Sequence, residues 1–235
     1  MSALNDPAVV AREYADESRL AFRRAVHQRG SGPDARQVVF EAVAEVAPRR
    51  VLELGPGEGE LAERIAGELG ADVHAVDQSP RMVELSRARG IDALLGDAQA
   101  LPFVGGIFDC VVAAWMLFHV PDLERALLEV RRVLRPGGRF VAATNSEHTL
   151  QELWTLVGFS PGYTFSAENG EWSLLRHFTL VERRDVRGTI TFPDREAARR
   201  HVAASIIAGH LADELPPFDG PLSASRHMVV FVCEP

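Results

Sequence analysis

Between Arg50 and Thr144 the chain keeps repeating one pattern: a short apolar run, a turn, a segment with apolar residues at helical spacing, then another short apolar run. Arg50 to Leu54, Ala71 to Val76 (ending at Asp77), Ile91 to Leu95, Phe108 to Ala114 and Arg139 to Thr144 read as strands. Glu60 to Leu69, Arg81 to Arg89 and Leu123 to Leu134 read as helices, stopped in turn by Gly70, Gly90 and the Pro136-Gly137-Gly138 turn. A further helix, Ala35 to Ala47, ends at Pro48. Few folds accept this rhythm. Strands separated by about ten helical residues must pair in parallel through right-handed crossovers. The result is an α/β, doubly wound, mostly parallel sheet with helices on both faces. Phe108 to Ala114 (FDCVVAA) is almost continuously apolar, as a strand covered on both faces requires.

Beyond Asn145 the rhythm changes. Thr149 to Val157 reads as helix, Gly158 to Asn169 as turns with interleaved aromatics, Leu180 to Phe192 as strand, Asp194 to Ile207 as helix and Met228 to Cys233 as a buried strand. At 235 residues the chain suits one domain. Its parts are residues 1–48 as N-terminal helices, 49–145 as a ligand-binding core, 146–192 as a divergent cover, and 193–235 as a C-terminal helix and last strand. The two cysteines, Cys110 and Cys233, sit in apolar runs and are expected to be small buried hydrophobes in a reducing compartment. The N-terminus lacks the layout of a signal peptide, and no apolar run approaches membrane-spanning length. A soluble cytoplasmic protein is expected. A net charge of −8 argues against a nucleic-acid partner. All 25 basic residues are arginine, which excludes Schiff-base lysine chemistry and a phosphate-loop lysine.

The stretch VLELGPGEGE follows the first strand and places glycines at 55, 57 and 59. A dinucleotide fingerprint wants its last glycine where this chain has Glu60. A pyrophosphate at the following helix N-terminus would meet Glu58 and Glu60, and like charges repel. A ligand without phosphate and with a cation fits better, and S-adenosylmethionine is such a ligand. Asp77, 22 residues after Gly55 and at the end of the second strand, is placed to accept both ribose hydroxyls. Asp97, in GDAQALPF, is placed to accept from an adenine amino group, or else makes an Asx turn.

The series VLELGPGEG, VHAVDQSPRMVELS, GDAQALPF, FDCVVAAWMLFHVPD and EVRRVLRPGGRFVAATN resembles the class I S-adenosylmethionine-dependent methyltransferases. The resemblance covers Val51 to Asn145 and is nearest to the small-molecule branch, methyltransferase domain 11-like, which carries a histidine after the fourth strand. It implies a Rossmann-like fold of seven strands with the last antiparallel, a position that Met228 to Cys233 matches. It implies cofactor contacts from Glu53, Leu54, Gly55 and Gly57, from Asp77, Gln78 and Met82, from Asp97, Ala98 and Gln99, and from Ala114 and Trp115. In the N-terminal YADESRL segment, Tyr14 and Arg19 are expected to close over the methionine end. Met82 is otherwise core, and Tyr14 otherwise an anchor for its helix.

His119 is the first candidate for a general base, with ordinary imidazole acidity near neutrality; its alternative is to cap the helix beginning at Pro121. His148, past the fifth strand, is the second. Trp154, Tyr163, Phe165 and Trp172 could floor an acceptor pocket. No histidine pair has metal-ligand spacing, so no metal is expected. The expected function is methyl transfer to a small organic acceptor at O, N or C, leaving S-adenosylhomocysteine, by a monomer or homodimer. Two alternatives differ in class: a protein that binds the cofactor without transferring methyl, and a nicotinamide-dependent oxidoreductase.

Overall fold

Five parallel strands, reaching inward from one edge, make up most of the sheet: β1 (Arg50–Leu54), β2 (Asp72–Asp77), β3 (Asp92–Leu95), β4 (Phe108–Ala114) and β5 (Leu134–Asn145). β6 (Leu180–Phe192) and β7 (Leu222–Glu234) complete it in the order β3-β2-β1-β4-β5-β7-β6. β7 runs antiparallel to both of its neighbours. In this computed structural model the described residues are 3–15, 17–205 and 207–235. Met1, Ser2, Asp16 of the YADESRL segment and Ile206 of the expected C-terminal helix lie outside them.

The two-residue period of β1 sorts its side chains. Leu52 and Leu54 join Phe108, Phe140 and Phe231 on one face, while Val51 joins Ile65, Val73 and Val112 on the other. Full burial of each such side chain is worth about 1.5–3 kcal/mol. Helices α3 (Ala35–Ala44), α4 (Glu60–Leu69), α5 (Pro80–Ala88) and α6 (Leu123–Val133) supply the covering layers. The Ser79 hydroxyl accepts from the Met82 N–H at the start of α5, and Gly70 (φ +65°) stops α4. Cys110 and Cys233 are free and buried.

Several boundaries depart from expectation. α3 stops at Ala44, short of the expected Ala47, which lies directly before Pro48 where helical geometry is disfavoured and takes φ +42°. β5 begins at Leu134, with the Pro-Gly-Gly turn carried as a bulge opposite Phe108 and Cys110. Residues 180–192 are no cover: they form the outer strand β6, paired with β7 along its whole length. Arg183, Arg184 and Arg187 charge that strand and discourage further strand addition. The cover is shorter, built from α7 (Gln151–Leu156), α8 (Gly170–Leu175) and the turns between them. The helix expected to reach Ile207 is α9 (Arg195–Ala203), which packs with α7 over Phe192 and Ile190. Ahead of the sheet, α1 (Pro7–Glu13) and α2 (Ser18–Gln28) carry residues that border the cavity described next.

Candidate active site

A cavity of about 450 Å³ opens at the carboxyl ends of β1, β2, β4 and β5. It spans the point between β1 and β4 where strand order reverses, the crevice that open α/β sheets use for ligands. The glycine loop shapes one wall. Gly55 has φ +63° and donates to the Val76 carbonyl at 2.8 Å; a Cβ there would come within 2.8 Å of Met116 Cβ. Gly57 takes φ +58°, again a conformation natural to glycine.

The acids of this loop do not act as the sequence suggests. Glu58 pairs with Arg24 of α2 at 2.7 Å, and Glu60 pairs with Arg24 at 3.1 Å and with Arg36 at 2.7 Å. Their charge is spent on latching the N-terminal helices. The carboxylate left for a ligand is Glu53, at the second-last position of β1. It borders the cavity, is only 2% exposed, and its Oε2 has no partner. Burial pushes its carboxyl up to about 8, against the pull of Arg36 and with the added push of Asp77. A cation beside it would favour the ionised form. The sign follows: in the cofactor-free protein Glu53 holds a proton through pH 7, and binding a cation expels that proton. S-adenosylhomocysteine affinity by calorimetry should therefore rise by about 50-fold from pH 6 to 8 and level off above pH 9. Glu53→Gln should flatten the profile, and an unchanged profile in that variant would exclude this role.

Asp77 borders the cavity at the end of β2. Its carboxylate accepts the Ser79 N–H at 2.8 Å; burial raises it to about 6 while the amides of Ser79, Gly57 and Gln78 pull the other way. Gln78 and Ala98 also line the cavity. Asp97 lines it too while making the Asx turn, for it accepts the Gln99 N–H at 2.8 Å and the Gln99 side-chain amide at 2.9 Å. Gln99 in turn accepts from the Asp122 N–H, tying this loop to α6. Two expected contacts of the sheet and its helices, Leu54 and Met82, fall elsewhere. Leu54 faces the core with Phe108, and Met82 is wholly buried away from the cavity, since the first turn of α5 points its long side chain inward.

Ala114 and Trp115 close the end of β4, and both line the cavity. Trp115 takes φ +57°, rare for so bulky a residue, while its N–H donates to the Ala143 carbonyl and its buried Nε1 has no partner. Such strain marks functional sites. Tyr14 reaches the cavity as expected, with its hydroxyl 2.8 Å from His119 Nε2 and its carbonyl accepting from the Ser79 hydroxyl at 2.7 Å. Arg19 does not line the cavity; it lies half exposed, 3.9 Å from Glu13.

His119 lines the cavity but is not the histidine that the sequence suggests. Its Nδ1 donates to the Leu4 carbonyl at 2.8 Å, which leaves Nε2 to accept the Tyr14 hydroxyl proton. Burial, aided by Arg23, pushes it down to about 4 even though the Leu4 contact favours the charged form. It is a neutral clamp on the N-terminal segment. Nor does it cap the next helix, because Asp122 caps α6. His148 is exposed on the turn after β5 and outside the cavity.

The far side of the cavity holds residues without sequence signals: Asn145 at the end of β5, Arg23 and His27 on α2, and His201 on α9. Trp154 and Tyr163 of the cover line it, whereas Phe165 is buried in the core and Trp172 is exposed. Only the packing of α2 and α9 across the sheet end brings them together. Among the described residues no group of acids, histidines and cysteines could hold a metal.

The orphaned Glu53 oxygen, the orphaned Trp115 N–H and the glycine cradle fit a cationic nucleoside; Glu53, Asp77 and the Gly55–Gly57 loop are the residues that would hold it. Residues 52–142 match the family model described as a methyltransferase domain. An uncharacterized methyltransferase of Mycobacterium bovis is 35% identical over 178 residues, covering 72% of this chain and 70% of that one. A demethylmenaquinone methyltransferase of Renibacterium salmoninarum is 40% identical over 116 residues, so the chain spans about half of that relative, 48% of each being covered. The crystal structure of the cyclase SpnF shares the fold, with a TM-score of 0.62, 18% identity, and coverage of 96% of this chain and 95% of that one. Motif order, sheet topology and these likenesses agree: the chain belongs to the class I S-adenosylmethionine-dependent methyltransferases.

Proposed function

We propose that the protein transfers a methyl group from S-adenosylmethionine to a small organic acceptor at O, N or C. The observation that carries the reading is Glu53, a buried carboxylate oxygen without a partner, beside Asp77 and the glycine cradle at the switch point of the sheet. Glu53 suits the ammonium or the sulfonium region, Asp77 the ribose hydroxyls, and Asp97 with Ala98 the adenine edge. When bound, the cofactor supplies a methyl carbon already activated for displacement by its sulfonium.

The chain's own work is then alignment and exclusion of water. Holding two reactants in line gives effective concentrations on the order of 10⁵ M or more. Tyr14, fixed by Ser79 and His119, and the latches from Arg24 to Glu58 and Glu60 keep α1 and α2 over the site. His119 is a positioning residue in this arrangement: its lone pair is taken by Tyr14, and its acidity lies far below neutrality. Turnover should accordingly show no ionisation near pH 6.5 that disappears in His119→Asn. Such a limb in the pH–rate profile, lost in that variant, would restore a base role.

The acidic charge supports the absence of a nucleic-acid partner, and the two buried free cysteines suit a reducing compartment such as the cytoplasm. Among the described residues no helix is long and apolar enough to cross a membrane. A small organic acceptor agrees with the name of the Renibacterium relative, a demethylmenaquinone methyltransferase. The likeness to a cyclase keeps one second reading in view, cofactor binding in the service of another reaction. Calorimetry with S-adenosylmethionine, followed by chromatography for S-adenosylhomocysteine over a panel of phenols, amines and acids, tests both. Tight binding of NADH in place of the sulfur nucleoside would overturn the first.

A further inference from the structure

The cavity has two arms. Along β1, β2 and β4 it is lined by the glycine loop and its acids; beyond β4 it continues between α2, α7 and α9, and there its chemistry changes. Trp154 and Phe159 form a wall, with ring centroids 5.1 Å apart. Against that wall stand two imidazoles, His201 at 5.9 Å from Trp154 and His27 at 6.4 Å from His201. His201 is 3% exposed, and its Nδ1 and that of His27 are buried without a partner, although both rings border the cavity. Two rings that border one space while each keeps a buried nitrogen without a partner carry unmet hydrogen-bonding capacity, which costs free energy unless a small turn of the ring lets a ligand meet it.

Charge tells what kind of ligand. Behind His27 lies Arg226, 5% exposed, whose guanidinium donates only to the backbone oxygens of His27 at 2.9 Å, Ser31 at 2.7 Å and Pro33 at 2.7 Å. Among the described residues no carboxylate pairs with it. Arg23, which also lines the cavity, is paired with Glu13. The arm thus sits in the field of a buried cation that lacks a counter-charge. Burial, then Arg226 and Arg23, push the His27 imidazole down to about 4; burial, then His27 and Arg23, push His201 down to about 3. Both are neutral near pH 7, and each can offer an N–H to an oxygen anion without itself carrying charge.

We infer that this arm selects an aromatic acid as the acceptor: a planar ring seated against Trp154 and Phe159, with its carboxylate hydrogen-bonded by His27 and His201. The methyl-accepting atom is a separate substituent, directed back toward Tyr14. The inference rests on the methyltransferase reading above and adds the acceptor's class to it.

The test uses the whole chain saturated with S-adenosylhomocysteine, titrated calorimetrically with 4-hydroxybenzoate and 2-naphthoate and with the uncharged amide of each. At least one acid should bind about tenfold more tightly than its amide, as expected for a charge-assisted hydrogen bond. His27→Gln and His201→Asn should each erase that preference while S-adenosylhomocysteine affinity stays unchanged. Melting curves check the fold of both variants; should His201→Asn not fold, the half-buried His27 variant carries the test alone. Equal affinity of acid and amide, binding of neither, or a preference that survives a folded variant would overturn the inference. Failure to bind S-adenosylhomocysteine would instead overturn the reading beneath it.

Discussion

Replacing Asp77 by alanine should weaken S-adenosylhomocysteine binding by a factor on the order of 10² to 10⁴ in calorimetry. The carboxylate stands at the end of β2, bordering the cavity, with one oxygen held by the Ser79 amide at 2.8 Å. It accepts from two hydroxyls in the proposed complex, and a hydrogen bond to a charged group is worth about 1.5–3 kcal/mol. The loss has a second part. The amides of Ser79, Gly57 and Gln78 all favour this carboxylate, so its removal leaves donors of the glycine loop and the start of α5 unanswered. Asp77→Asn, which keeps the shape and one acceptor oxygen, should lie between. Micromolar binding retained by the alanine variant would remove Asp77 from the site.

The largest stability effect is expected at Phe231. This fully buried side chain of β7 lies opposite Ala142 of β5 and Arg183 of β6. Phe165 meets its ring at 5.9 Å between centroids, and a Cβ on Gly170 would come within 2.8 Å of its Cε2. The ring therefore glues the cover, through Phe165 and α8, onto the sheet. Phe231→Ala removes that volume where sheet and cover are both too constrained to collapse, at a cost of about 3–5 kcal/mol. For a chain of this size the melting temperature should fall by about 6–20 °C. A drop of less than about 2 °C by circular dichroism would show that the cavity refills.

Most of the sheet was legible because its signals are local. β1, β4 and β6 have the limits read from the sequence, Arg50–Leu54, Phe108–Ala114 and Leu180–Phe192. The glycine loop and Asp77 follow from the same logic, since a crossover fixes where the strand ends meet a ligand. The residues that failed share a cause. Leu54 and Met82 sit within motifs that touch the cavity, yet their side chains turn to the core, and a motif does not state direction. Glu58 and Glu60 read as ligand acids because Arg24 and Arg36, their partners, lie more than twenty residues away along the chain.

The parallel sheet and the placing of the glycine loop and Asp77 at its strand ends follow from the sequence alone, because each rests on patterns spanning a few neighbouring residues. Tertiary structure alone decided the charge and protonation of the site. It neutralised Glu58 and Glu60, isolated Glu53, turned His119 into a clamp and gathered His27 with His201. Those outcomes depend on burial and on partners supplied by distant helices, and desolvation acts only once the chain has closed around the group.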